Sequence, residues 1–246
     1  MATLICLAAL LLFFLLPLYA LWCVYKPPSY LIQYLRKRYP DVLFELPTSE
    51  KIIALSIDDA PSSYTDEIME VLAQNDAHAT FFVIGGQVAG REKILQRAVK
   101  AGHELGNHAM HDEPSRSLSS QELKNQIYEV QGMLKKAYEA EGKTLSNNYF
   151  RPGSGFFDDR MRKLLNEWGF RITLGSVYPH DPQIPYHSIN ARHILSMAHP
   201  GAIIICHDRR SWTLPMLKIV LPALRQRGYK IVTITDLVMS TRPSAR

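Results

Sequence analysis

After residue 50 the chain repeats one pattern: a short apolar run, then a longer stretch with apolar residues three and four apart. The short runs are rich in β-branched and aromatic side chains and predict strands at 52–57, 79–84, 103–108, 149–151, 171–174, 202–207 and 230–235. The stretches between them predict helices at 65–75, 91–101, 119–141, 158–168, 190–198 and 214–227. Ser119 with Glu122 is a capping-box start, and Gly102, Gly142, Gly169 and Gly228 stand where helices should stop. Such alternation predicts an α/β fold with a parallel sheet, either open or closed into a barrel. There is no internal repeat, so the body reads as one domain over 51–240 with a tail at 241–246.

The first 25 residues break the pattern. No charge occurs from 4 to 25, and as a helix that run is roughly 33 Å long, which matches a bilayer's hydrocarbon core. A cleaved signal peptide is the competing reading. Against it, the run is long for a signal, no Lys or Arg precedes it, and Leu18 occupies −3 of the plausible cleavage site. The expectation is therefore a retained transmembrane helix over 1–25, with a cleaved signal or a membrane-dipping segment as alternatives. Lys26 and Arg36-Lys37-Arg38 follow the run, which favours a cytosolic body by the positive-inside rule, with a secretory placement as the alternative. Residues 26–50 form a juxtamembrane linker. Within it 30–39 is either an interfacial helix, with its basic residues on lipid phosphates, or a solvated connection.

Composition narrows the classes. Of 246 residues 47% are hydrophobic and 21% charged, enough for a real core and against disorder. Lys+Arg 28 against Asp+Glu 23 gives +5 without a block of like charge, which argues against nucleic acid as a partner. Cys6 and Cys23 lie in the leader and only Cys206 in the body, so a disulfide framework and a Cys-x-x-Cys zinc site are both excluded.

The chemically interesting residues fall just after strands, the end where barrels place their chemistry. Asp58 and Asp59 close the first strand. One can bind a metal while the other takes a proton, or one can merely cap the next helix. After the third strand, His108 has Asp112 four residues on and His111 three residues on. Either spacing can aim two ligands at one ion if the segment makes a helical turn. His103-Glu104 lacks the second His at i+4 that a zinc-protease helix needs. His207 closes an apolar strand; Cys206 beside it points to the opposite face, which excludes a Cys-His pair. Gly153-Ser154-Gly155 is too short for a serine-hydrolase elbow.

Taken in order, these residues resemble the NodB-type polysaccharide deacetylases over roughly 52–237. Ser56-Ile57-Asp58-Asp59 resembles the family's Thr-Phe-Asp-Asp, and Thr80-Phe81-Phe82-Val83 its next strand. Gly102-His103-Glu104-Leu105-Gly106-Asn107-His108 leads into the metal-binding motif. Phe150-Arg151-Pro152-Gly153-Ser154-Gly155 resembles the Arg-Pro motif, and Ile205-Cys206-His207 the terminal Leu-x-His. Residues 107–115, with the apolar leader, look most like fungal members.

The resemblance implies an irregular seven-stranded (β/α) barrel. It also implies a metal-dependent hydrolase that removes an N-acetyl group from N-acetylglucosamine-type saccharides such as chitin oligomers, using metal-activated water. In that reading Asp58 is the base and His207 the acid, while Arg151 orients Asp58 and Asp181 holds His207 protonated. Asp59, His108 and Asp112 ligate a divalent ion, and a backbone N–H near Ser154 helps bind the oxyanion. Asp112 stands where the family usually has His, giving a harder, more anionic donor set that admits Zn²⁺, the expected ion, but also Mn²⁺, Co²⁺ or Fe²⁺. Pro182 stands for the usual Trp, and Gly153-Ser154 for Pro-Tyr, which leaves the polymer substrate open. Two other readings compete: a membrane-face deacylase of a lipid-linked sugar or small amide, and an inactive carbohydrate-binding barrel.

Overall fold

The computed structural model describes the backbone of residues 1–241 and their side chains apart from residues 2–12. Its strands are β1 (Ile52–Ala60), β2 (Thr80–Val83), β3 (Glu104–Asn107), β4 (Tyr149–Phe150), β5 (Arg171–Ile172), β6 (Ile203–His207) and β7 (Lys230–Val232). Its helices are α1 (Ala2–Tyr25), α2 (Ser29–Arg38), α3 (Thr65–Gln74), α4 (Glu92–Lys100), α5 (Ser120–Ala140), α6 (Asp159–Glu167), α7 (His187–Met197), α8 (Thr213–Gln226) and α9 (Ile234–Ser240).

The seven strands form one sheet in the order β5-β4-β3-β2-β1-β6, with β7 paired to the start of β1. Every pairing is parallel, as βα alternation requires. The ladder curls into an irregular half-barrel rather than a closed one. Between β5 and β6, among the described residues, it continues through isolated bridges: Leu43↔Thr173, the antiparallel Glu45↔Ala202, and Val177↔Ile204.

Strand alternation decides what each side of β1 does. Ile53, Leu55 and Ile57 point outward into the main core, packed with α3, α4, α5, α7 and α8. Ile52 and Ala54 point inward, among Phe82, Ile203 and the α9 residues Ile234 and Leu237 that plug the bottom. Ser56 and Asp58 come next on that inner face, so the same strand that builds the core delivers a carboxylate to the opposite end.

The capping box at Ser119 forms, its hydroxyl accepting from the Glu122 N–H at 3.2 Å. Gly102 and Gly228 take φ of +84° beyond α4 and α8, as helix stops should. Two elements differ from expectation. The run 230–235 is strand only to Val232; Thr233 then caps α9 by accepting from the Asp236 N–H at 3.1 Å. The signal was present as a Thr-x-x-Asp box inside an apolar run. Residues 30–39 do form a helix, but its apolar side faces the protein. Ile32 and Leu35 pack with Val42, Phe44 and Ile172, and Arg36 binds Glu45 at 3.0 Å. The segment is thus neither a solvated connection nor free to lay that side in headgroups.

Among the described residues no helix is long and apolar enough to cross a membrane. The leader expected over 1–25 lies in α1, whose side chains at 2–12 fall outside the described ones.

Candidate active site

A bulge in β1 brings the two adjacent carboxylates to one place. Neighbouring strand residues normally face opposite ways, but the β1–β2 register shifts between Ile57 and Ala60, and Asp59 takes φ +64°. That left-handed residue re-aims the second carboxylate, so Asp58 and Asp59 both serve the C-terminal end of the sheet. They are 3% and 2% exposed, so neither is simply solvated.

The resulting cluster contains the acid–imidazole–acid set. One ligand atom from each of Asp59, His108 and Asp112 lies within 4.8 Å of the others, the first two buried and Asp112 exposed. His108 Nδ1 donates to the Arg151 carbonyl at 2.7 Å, which fixes the tautomer and leaves the Nε2 lone pair facing Asp59 Oδ1 at 3.7 Å. An imidazole nitrogen aimed between two carboxylates is a donor set that suits a divalent cation. The segment after His108 makes bends rather than a helical turn. Ala109 at φ +61° redirects the chain so that Asp112 completes the group, and His111, the alternative, lies against Gly86 instead.

Beside the cluster stands the second pair. Asp58 and His207 are register partners on β1 and β6, and His207 Nε2 lies 4.0 Å from Asp58 Oδ2. Arg151, fully buried, donates from Nη1 to both Asp58 oxygens at 3.0 and 2.8 Å and from Nη2 to the Ser56 hydroxyl at 3.0 Å. Its Nε donates to the Thr173 carbonyl at 2.6 Å, and its guanidinium sits 4.4 Å from the Phe82 ring centroid. Asp181, also buried, accepts from the His207 N–H at 2.8 Å and from Nδ1 at 2.9 Å.

The electrostatics follow from these contacts. Burial alone would push the His207 imidazolium down, but the Asp181 charge and hydrogen bond outweigh it, helped by Asp58 and Asp59, and its pKa rises to about 9. Burial pushes Asp59 above the usual carboxylate range despite the pull of His108 and His207, while Asp112 and Asp58 push it further. The Cys206 thiol is fully buried and raised well above its ordinary value, so it is inert.

Three residues escaped the reading of the sequence. Asp208 accepts from the Ser62 hydroxyl at 2.6 Å and from the Thr65 hydroxyl, and its own N–H donates to the Asp58 carbonyl at 2.8 Å. It therefore ties the loop after Asp58 to the strand carrying His207. Trp212 donates its indole N–H to the Asp181 carbonyl at 2.8 Å. Arg210 donates to Asp59 Oδ2 at 3.3 Å. The His207-Asp208 dipeptide was a signal for the first; nothing local marks the other two. The departure at Gly153 has a packing cause, because a Cβ there would meet the Glu113 carbonyl at 2.0 Å.

Residues 45–173 match the family model described as "Polysaccharide deacetylase". A peptidoglycan-N-acetylglucosamine deacetylase of Bacillus cereus is 34% identical over 203 residues, covering 80% of this chain and 92% of that protein. The chain belongs to the polysaccharide deacetylase family. Another similar protein is a peptidoglycan-N-acetylmuramic acid deacetylase of Bacillus subtilis, 28% identical and covering 78% of this chain and 73% of its own length. Among solved structures, a CE4 family pseudoenzyme of Bacillus anthracis aligns with TM-score 0.72 at 28% identity, covering 80% of this chain and 68% of that one. These relatives are bacterial, and the fungal character expected from residues 107–115 finds no support in them. The protein is thus a deacetylase that hydrolyses amide C–N bonds, in a family whose members are metal-dependent.

Proposed function

We propose that this deacetylase removes the N-acetyl group from an N-acetylhexosamine residue of a peptidoglycan-type glycan. The carrying observation is the cation-competent group Asp59, His108 and Asp112 set beside the Asp58–His207 pair. The activities named for the relatives point to the same substrate class. A divalent cation held there would polarise the acyl carbonyl and acidify water, whose pKa of 15.7 can fall to about 7 on a metal.

This chain's own residues supply the rest. Asp58, oriented by Arg151, accepts the proton of the attacking water. His207, charged through Asp181, delivers a proton to the leaving amine, and a main-chain N–H near Ser154 meets the developing oxyanion. The inactive-barrel reading is disfavoured because the carboxylate and imidazole for both proton transfers are in place. Acetate release from peptidoglycan fragments, chitin oligomers and small acetamides by the full chain tests the proposal; no release from any of them with Zn²⁺, Co²⁺ or Mn²⁺ present sinks it.

His207→Ala is expected to lower turnover by about 10²–10⁴-fold while leaving cation binding intact. Isothermal titration with Co²⁺ beside an acetate assay separates the two effects. The sign of the pH dependence is fixed by the raised His207 value. The stability from its ion pair is full below about 6.5 and is lost as pH rises through about 9. Turnover should fall over the same alkaline range, and a cation beside the imidazole moves that fall to lower pH. Asp112→His replaces a carboxylate by a softer ligand and should shift selectivity from Mn²⁺ toward Zn²⁺. Competitive metal loading read by mass spectrometry checks this, and an unchanged Zn²⁺/Mn²⁺ ratio contradicts the assignment of Asp112.

We also propose α1 as a single-span membrane anchor, supported by the absence of charge from 4 to 25. A membrane-face substrate gains weight from one contact. The His180 ring donates to the Tyr25 carbonyl at the end of α1 at 2.9 Å, one residue from Asp181. The basic residues after the run favour a cytosolic body, whereas a wall glycan requires the opposite side. Protease accessibility of a C-terminal tag in intact cells decides between them.

A further inference from the structure

The two oxygens of Asp59 have different partners. Oδ1 faces His108 Nε2 at 3.7 Å, on the side of the cation group, and Oδ2 accepts from Arg210 Nη2 at 3.3 Å. We infer that Arg210 is a positioning residue that holds Asp59 to one-oxygen ligation and weakens its grip on the cation. The inference rests on the metal-site reading above.

Three observations carry it. The first is that Arg210 is placed by the turn that follows His207, not by a loose side chain. Asp208 N–H bonds the Asp58 carbonyl at 2.8 Å, and Arg209 N–H bonds Asp208 Oδ1 at 2.7 Å. The Thr213 N–H bonds the Arg210 carbonyl at 3.1 Å, and its hydroxyl bonds the His207 carbonyl at 2.6 Å. With Arg209 at φ +62°, that turn fixes where the next side chain starts.

The second observation concerns charge. Asp58, Asp59 and Asp112 meet at one end of the sheet, and Arg151 is fully engaged on the Asp58 side. Arg210 is the guanidinium on the Asp59 side, its side chain 24% exposed against 3% for Asp59. Where the family usually has a neutral imidazole this chain has Asp112, so the ligand group carries one more negative charge. A cation on Asp59 offsets that charge.

The third is geometric. A carboxylate held at one oxygen by a guanidinium cannot turn both oxygens to an ion, and ligands fixed this way from outside are a common device of metal sites.

The test uses the full-length chain, Co²⁺ and three proteins: the parent, Arg210→Met and Arg210→Lys. Methionine keeps an apolar stem and removes the charge and the donor. With a unit positive charge gone from beside the site, Co²⁺ should bind about tenfold more tightly. The visible Co²⁺ band should weaken as Asp59 offers its second oxygen and the coordination number rises. Acetate release should fall at least about tenfold. Lysine restores the charge and should return the affinity to near the parent value, which a purely structural defect would not do. Unchanged or weaker Co²⁺ binding in Arg210→Met, with an unchanged band, overturns the inference while leaving the metal site standing. A parent protein that binds no Co²⁺ overturns both.

Discussion

Asp59→Asn is expected to abolish cation binding and to cut acetate release by at least about 10³-fold, since the cation contributes several kcal/mol to the reaction. The asparagine keeps the shape and loses the charge at the residue that faces both His108 and Arg210. The same substitution should leave the metal-free protein at least as stable as the parent. Burial raises the Asp59 pKa, so the folded state disfavours its ionised form, and a neutral amide removes that penalty at neutral pH. In EDTA the variant should therefore melt at or above the parent temperature. On adding Zn²⁺ the parent alone should gain stability, because only its folded state binds the ion. A variant that still melts higher with Zn²⁺ would falsify the assignment of Asp59 as a ligand.

Arg151→Met is the change expected to cost most in stability, about 3–5 kcal/mol. The guanidinium makes a two-oxygen contact with Asp58, reaches Ser56 and Thr173, and is itself 2% exposed. Removing it leaves the Asp58 carboxylate buried without a counter-charge and strands a strand-end carbonyl. Urea unfolding should show the midpoint drop without a large change in slope. Acetate release should fall by more than the folded fraction explains, because Asp58 loses its orientation. A midpoint within about 1 kcal/mol of the parent would mean the pair is not the buried anchor that the geometry describes.

Much of this was legible from side-chain chemistry in order along the chain. Apolar runs of β-branched residues marked all seven strands, and the polar residues closing them marked the functional end. Asp58, Asp59, His108, Asp112, Arg151, Asp181 and His207 lie together, the grouping that the family likeness implied, although His108 and Asp112 meet through bends and not through the helical turn that their spacing suggested. What remained hidden has a common cause, which is that pattern encodes faces and not contacts between distant segments. The bulge at Asp59 depends on the neighbouring β2 register, and an alternating pattern would have put Asp59 on the wrong side. Whether α2 turns its apolar side to lipid or to protein depends on Val42 and Phe44 having a place beside Ile172. Arg210 reaches Asp59 across 151 positions of sequence through a turn that has no compositional mark. Thr233 was a different kind of miss, since its cap was written locally but overshadowed by the apolar run around it.

Asp58 and His207 face one another on a single rung of a parallel ladder, one on each of two neighbouring strands. Strand spacing consequently sets how far apart the two side chains start, and Arg151 and Asp181 then hold their tips 4.0 Å apart. Substitutions that repack the helix-facing side of those strands can soften the protein considerably before they alter that gap. Inserting or deleting one residue in either strand, by contrast, would turn one of the partners to the opposite face and disturb the core packed on that strand together with the site.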